Sequence, residues 1–146
     1  MRKLIFVILF PCLFIGCNAP KNSSQSKSSA LEGSWRLNYI TGPRIEFDGL
    51  YPDKKPTLIV DLKKGKATGN SSCNNFSATM TLDGKKISFA EPFALTKMAC
   101  GGEGESIFLG ALKKVNNYDV TAGYTLTLLM DNVAMMRFTK MERDNP

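Results

Sequence analysis

Beyond residue 33 the chain alternates apolar and polar residues with a period of two over most of its length. Trp35, Leu37 and Tyr39 share one side of the segment Ser34 to Thr41, and Leu58, Val60 and Leu62 share one side of the run opened by Pro56. Successive side chains of a strand point to opposite faces, so this alternation predicts strands with one face buried. Lys63-Lys64-Gly65-Lys66 reads as a turn, and Ile45 to Asp53, with Gly49 and Pro52, as a loop. Phe76, Ala78, Met80 and Leu82 resume the pattern, and Ile87 and Phe89 answer it beyond Asp83-Gly84. A two-residue Asp83-Gly84 turn sets Met80 opposite Ile87 and Ala78 opposite Phe89, apolar against apolar. Near the C-terminus, a three-residue Asp131-Asn132-Val133 loop sets Leu126, Leu128 and Met130 against Phe138, Met136 and Ala134. A two-residue loop there would bring Leu126 against Arg137.

Between Glu103 and Asn117 the period lengthens. Ile107, Phe108, Ala111, Leu112 and Val115 fall on one helical stripe, with Glu103 and Glu105 near its start and Lys113 and Lys114 near its end, as the helix dipole favours. This predicts a helix over about 103–117 packed on a face of the surrounding sheet. The result is a mainly β (α+β) fold of seven or eight short antiparallel strands and one helix. Such a run of strands tends to close on itself, because closure removes exposed edges. At 146 residues and 43% hydrophobic content, the chain has room for one domain with a real core. That domain is expected over 31–141, with 142–146 a disordered tail.

The N-terminus follows other rules. Met1-Arg2-Lys3 and the apolar run Leu4 to Ile15 form the charged and hydrophobic regions of an export leader, too short for a permanent membrane helix. Phe14-Ile15-Gly16-Cys17 then resembles a bacterial lipobox, with Phe14 where Leu is usual. In that reading 1–16 is a lipoprotein signal peptide, lost together with Cys12, and Cys17 becomes the lipidated first residue. Ala19 to Ala30 holds no apolar residue larger than Ala or Pro, so 17–30 is expected to be a flexible polar tether. Its reach is roughly 20 Å. Asn18 after Cys17, with no acidic run, favours by analogy an outer-membrane anchor facing the periplasm.

Charge narrows the partners. Without Arg2 and Lys3 the 19 Lys+Arg fall to 17 against 13 Asp+Glu, a net +4 in place of +6. Lys54-Lys55, Lys63-Lys64-Lys66, Lys85-Lys86 and Lys113-Lys114 are scattered pairs, not one basic block, which disfavours nucleic acid. Solubilising turns and edges are the plainer reading, an anionic-surface patch the alternative. The chain has no histidine. Ser-His and Cys-His nucleophiles and imidazole zinc sites are thereby removed. There is no Cys-x-x-Cys and no calcium-loop pattern. Gly101-Gly102-Glu103-Gly104-Glu105 lacks the Lys-Ser/Thr of a phosphate loop, and its carboxylates would repel a phosphate. No catalytic residue, cofactor or metal is implied.

Cys73 and Cys100, the only cysteines beyond Cys17, sit in two motifs, Ser72-Cys73-Asn74-Asn75-Phe76-Ser77 and Thr96-Lys97-Met98-Ala99-Cys100. An oxidising envelope and an even count favour a structural disulfide; free thiols packed as small core residues, or a redox sensor, are the alternatives. Asn74 reads as a turn residue bonding local backbone. Together with Gly33-x-Trp35-x-Leu37, Glu105-x-x-Phe108-Leu109-x-Ala111-Leu112 and Leu126-x-Leu128, these motifs resemble the META domain, the HslJ-like family, in order from Leu31 to Lys140. Trp35, Cys73, Asn74, Phe76, Thr96, Met98, Cys100 and Glu105 carry the likeness. Ser72 and Ala78 depart from it, since the family usually has Gly at both, and a positive φ at Ser72 would be strained. The resemblance implies a cracked antiparallel β-barrel carrying a helix. That shape is similar to the barrels of secretion-system pilot lipoproteins, whose interior can hold a lipid tail.

These readings favour a non-enzymatic envelope lipoprotein, a monomeric module that binds a protein partner or apolar ligand and supports envelope maintenance or stress tolerance. A hydrolase of envelope polymers is the alternative, working through carboxylates such as Asp48, Asp53, Glu91 or Glu103. A third reading is an inhibitor whose Ile45 to Lys55 loop plugs a foreign active site.

Overall fold

The computed structural model describes residues 29–42 and 44–142. The leader, Cys17, most of the tether and residues 143–146 lie outside the described residues. Eight strands succeed one another around a closed sheet: β1 (Gly33–Ile40), β2 (Thr57–Asp61), β3 (Lys66–Asn70), β4 (Asn75–Asp83), β5 (Lys86–Leu95), β6 (Asn117–Thr121), β7 (Thr125–Met130) and β8 (Val133–Lys140). Each is antiparallel to the next, and β8 returns to pair with β1. Closure satisfies the edges that eight short strands would otherwise expose. Two helices join them, α1 (Phe47–Leu50) and α2 (Gly104–Leu112).

Strict alternation of direction sorts the connections between two ends of the barrel. The chain enters β1 and leaves β8 at one end, which also carries the turns 62–65, 84–85 and 122–124. We call this the entry end. The far end carries 41–56 with α1, 71–74, 96–116 with α2, and the β7–β8 turn. The entry end is closed by the residues just before β1. The Trp35 indole donates to the Leu31 carbonyl at 3.0 Å, and the Glu32 carboxylate accepts the Leu62 N–H at 2.8 Å. Lys140 Nζ lies 4.9 Å above the Trp35 ring and donates to the Ala30 carbonyl.

The interior is occupied by side chains. Trp35, Leu37, Leu58, Val60, Leu126, Leu128, Met136 and Phe138 are all essentially without solvent contact. β5 and β6 share one register pair, Lys86 with Asn117, and the barrel is cracked there. α2 lies in the connection across that opening. Its Phe108 ring meets Phe76 at 5.6 Å inside the barrel mouth. Just past its end, Lys113 reaches back to Glu91 and the Phe93 ring on β5.

Several local expectations shift. The β4–β5 turn is Gly84-Lys85, with Asp83 paired to Lys86, so Met80 faces Phe89, and Leu82 faces Ile87. Gly84, at φ +59°, takes the first central position, where a II′ turn wants its glycine, and the apolar face is preserved because the shift is a whole pair. At the last hairpin, Leu126 faces Phe138 and Leu128 faces Met136 as expected, but the loop is only Asp131-Asn132. A bulge between Leu128 and Leu129 absorbs the odd residue and keeps Arg137 off Leu126. A second bulge, after Leu37, turns Tyr39 outward beneath the Arg137 guanidinium and brings Ile40 inward in its place.

The long helix is shorter than its stripe suggests. It stops at Leu112 because Asn116 is drawn into strand pairing, accepting from the Ile87 N–H and donating to the Leu129 carbonyl. Val115 is buried without being helical. The loop predicted over 45–53 contains α1, whose Phe47 packs edge-on to Tyr51 at 5.3 Å.

Candidate functional site

Asn74 joins two far-end connections, its own 71–74 and the 96–116 segment. The residue follows β3 in a tight loop, and its side chain is 4% exposed. Its Oδ1 accepts from the Thr96 hydroxyl at 2.7 Å and the Met98 N–H at 2.8 Å, while Nδ2 donates to the Met98 carbonyl at 3.2 Å. The amide thus reads the 96–98 backbone like a neighbouring strand. Expected to serve its own turn, Asn74 instead joins segments far apart in the chain. The sequence names the residue type but not the partners, which are brought in by the β4–β5 pairing that sets Thr96 beside Asn75 and by the start of α2.

Glu105, in the first turn of α2, completes the junction. Its Oε2 accepts from the Ser71 hydroxyl and from the Asn74 N–H at 2.9 Å, and its Oε1 from Asn74 Nδ2 at 3.1 Å. Partial desolvation pushes this carboxyl up, but the Ser71 and Asn74 hydrogen bonds outweigh it and hold it below the usual carboxylate range. A general acid needs the opposite shift, so Glu105 is suited to accepting hydrogen bonds, not to donating a proton. Asn70 shapes the same loop by accepting the Ser72 N–H at 3.1 Å and donating to Asn75 at 3.0 Å. Ser72 is held at φ +87°, the glycine-favouring conformation in which a serine is strained.

Cys73 and Cys100 are bridged, with Cα atoms 6.0 Å apart. Cys100 is an exposed loop residue, not a core strand residue, and Cys73 is half-buried. Beside the bridge opens a cleft of about 540 Å³, within the range of small-ligand sites. Its walls are Tyr51 to Lys54 from the first far-end loop, Ser72 and Cys73 from the second, and Met98 to Gly102 with the start of α2 from the third. Met98 stands on the rim, 63% exposed, while both its backbone polar groups are fixed by Asn74. Tyr51 donates its hydroxyl to the Gly104 carbonyl at 3.1 Å, and burial pushes the phenol up. A Cβ on Gly104 would lie 2.8 Å from the Tyr51 ring and 2.9 Å from the Leu50 carbonyl, so the floor requires glycine.

Of the family-motif residues, Cys73, Asn74, Thr96, Met98, Cys100 and Glu105 therefore converge on one far-end site. Phe76 lies behind it in the core, and Trp35 sits at the entry end. The carboxylates proposed for hydrolysis do not converge. Asp48 pairs with Lys55 at 3.0 Å, Glu91 ties Lys113 across the crack, and only Asp53 joins Glu105 in lining the cleft. Ser71 and Tyr51 were not singled out in the sequence. Ser71 adjoins the cysteine motif, whereas nothing local distinguishes Tyr51. Among the described residues no group of three or more His, Cys, Asp or Glu could hold a metal, and no helix is long and apolar enough to cross a membrane.

A family model described as META domain matches residues 28–142. Among solved structures, an NMR structure of a protein from Burkholderia xenovorans is similar, at 23% identity and a TM-score of 0.62, covering 94% of this chain and 100% of that one. A crystal structure of a DUF4847 family protein from Bacteroides vulgatus is similar at 16% identity and a TM-score of 0.54, covering 77% of this chain and 95% of the other. At these identities the likenesses concern the fold alone. No match was found among the curated proteins.

Proposed function

The chain belongs to the META domain family, and on that premise we propose that it is a non-enzymatic, lipid-anchored binding module of the bacterial envelope. Its anchor is Cys17, its location the periplasmic face of the outer membrane, and its binding face the far-end cleft. The observation that carries the reading is the separation of the two ends. Residues 29–32 lead into β1 at one end of the barrel, while six family-motif residues gather around a cleft at the other. A module held this way offers its cleft to the periplasm, where it engages a protein partner that supports envelope maintenance. A partner in the cleft is favoured over a lipid tail in the barrel because the interior positions are already filled by Trp35, Leu128, Phe138 and their neighbours. A binding role is favoured over hydrolysis because Asp48 and Glu91 are tied to Lys55 and Lys113 away from the cleft, and the Glu105 oxygens are occupied by Ser71 and Asn74.

Two measurements in cells test the two halves. Cys17→Ser should move the protein from the membrane to the soluble fraction; unchanged membrane retention contradicts the anchor. A photo-crosslinking residue in place of Met98 should give one defined protein adduct, absent when the crosslinker replaces Thr127 on β7, and lost again in an Asn74→Ala background. Equal adducts from Met98 and Thr127 would remove the cleft from the account.

A further inference from the structure

We propose that the entry end carries a second interaction surface, a lysine corner that rests on an anionic phospholipid bilayer. In sequence these lysines are separate pairs. Antiparallel closure brings them to one rim, because the β2–β3 and β4–β5 turns both belong to the entry end. Lys63, Lys64 and Lys66 project from the first turn and Lys85 and Lys86 from the second, all exposed. The turns are neighbours, since Gly65 in the first accepts the Met80 N–H at 2.8 Å from β4, the strand that runs on into the second. From Met80 to Asp83 is roughly 10 Å at strand rise, about one Debye length, so the two groups act on the same stretch of surface.

Acidic residues neutralise this corner only in part. Asp61 pairs with Lys64 at 3.0 Å, Asp83 faces Lys86 across the hairpin, and the Glu32 carboxylate is held on the Leu62 N–H beside the first turn. Lys63, Lys66, Lys85 and Lys86 have no ion pair among the described residues. The third entry-end turn adds Tyr124, whose ring is 61% exposed and which, like other amphipathic aromatics, suits the headgroup level. Lysines that go unpaired on the rim through which the tether leaves are matched in charge by the phosphate headgroups of an anionic leaflet. Each lysine near such a surface contributes about fivefold to partitioning. The corner would rest the entry-end rim on the bilayer and so hold the far-end cleft away from it. This inference takes its orientation from the anchored-module reading, but the surface itself can be tested without the lipid.

The test uses the full chain after leader removal, with Cys17→Ser so that no acyl chain is attached. It is mixed with vesicles of phosphatidylcholine alone or with 30% phosphatidylglycerol and sedimented at about 0.05 M and 0.5 M salt. Binding should appear only on the anionic vesicles and only at low salt, and Lys63→Glu/Lys85→Glu should weaken it at least tenfold while leaving the folded spectrum unchanged. No binding to anionic vesicles, equal binding to phosphatidylcholine, or binding indifferent to the double substitution would overturn the proposal. So would binding to an acidic protein or to nucleic acid that outcompetes the vesicles. None of these results bears on whether Cys17 is acylated or whether Met98 meets a partner.

Discussion

Asn74 and Glu105 illustrate how much one buried amide can organise when its partners are backbone. Removing the Asn74 side chain strands the Met98 N–H, the Thr96 hydroxyl and one Glu105 oxygen at once. Asn74→Ala should therefore cost about 3 kcal/mol in denaturant unfolding. Glu105 adds a pH signature. Its folded pKa lies below the unfolded value of about 4.3, so its contribution is present above that value and fades as pH falls through the lower folded value. In acid titration of stability, Glu105→Gln should flatten the decline below about pH 4. Ser72 is the opposite case, a residue in a conformation it disfavours. Ser72→Gly should stabilise by about 1 kcal/mol, relief of strain exceeding the added unfolded-state entropy. The motif residues were legible because their types and order are specific. That Asn74 would bond the 96–98 backbone and the start of α2, and that Ser71 and Tyr51 would belong to the same end, was not legible, because those contacts depend on separate loops meeting.

Elements were read from period and turn chemistry, and the outcome follows which signal was present. Strand faces came out well because a period of two is strict: Leu126 against Phe138 and Leu128 against Met136 are as the alternation requires. Turn positions fared less well, since Asp83-Gly84 and Gly84-Lys85 both offer a glycine with φ > 0 and differ only in which position it fills. Bulges leave no local mark at all, so Tyr39 pointed the wrong way. Gly69 shows how tightly β2 and β3 approach, a Cβ there falling 2.0 Å from the Thr57 carbonyl. Gly69→Ala should break this pairing, and loss of the native thermal transition is its readout. The disulfide acts at the same scale. Residues 99–102 lie between Met98, fixed by Asn74, and Gly104, fixed by Tyr51, and the bridge at Cys100 is the constraint between them. Cys73→Ala/Cys100→Ala should lower stability by about 3 kcal/mol in the chain-entropy model. Amide exchange should rise first in 99–103 and leave Met80 to Phe89 protected, whereas a uniform rise would show that the bridge supports the whole barrel.

For the molecule as a whole, closure is the organising event. It was foreseeable from seven or eight short strands seeking partners, whereas the crack between β5 and β6 was implied only by the family resemblance. What no local pattern contains is the sorting of connections between two ends. Only the even number of antiparallel crossings puts residues 29–32, the lysine turns and Tyr124 at one rim and Asn74, Glu105 and the bridge at the other. That polarity can be measured directly. A genetically encoded spin label is placed at Tyr124 or at Met98 of the acylated protein, which is then reconstituted into vesicles containing phosphatidylglycerol. Relaxation by lipid-soluble oxygen and by a water-soluble nickel complex gives each label's depth. The label at 124 should sit at the headgroup level and the label at 98 in bulk water. A label at 98 that meets the bilayer, or two labels at the same depth, would contradict a cleft held away from the membrane.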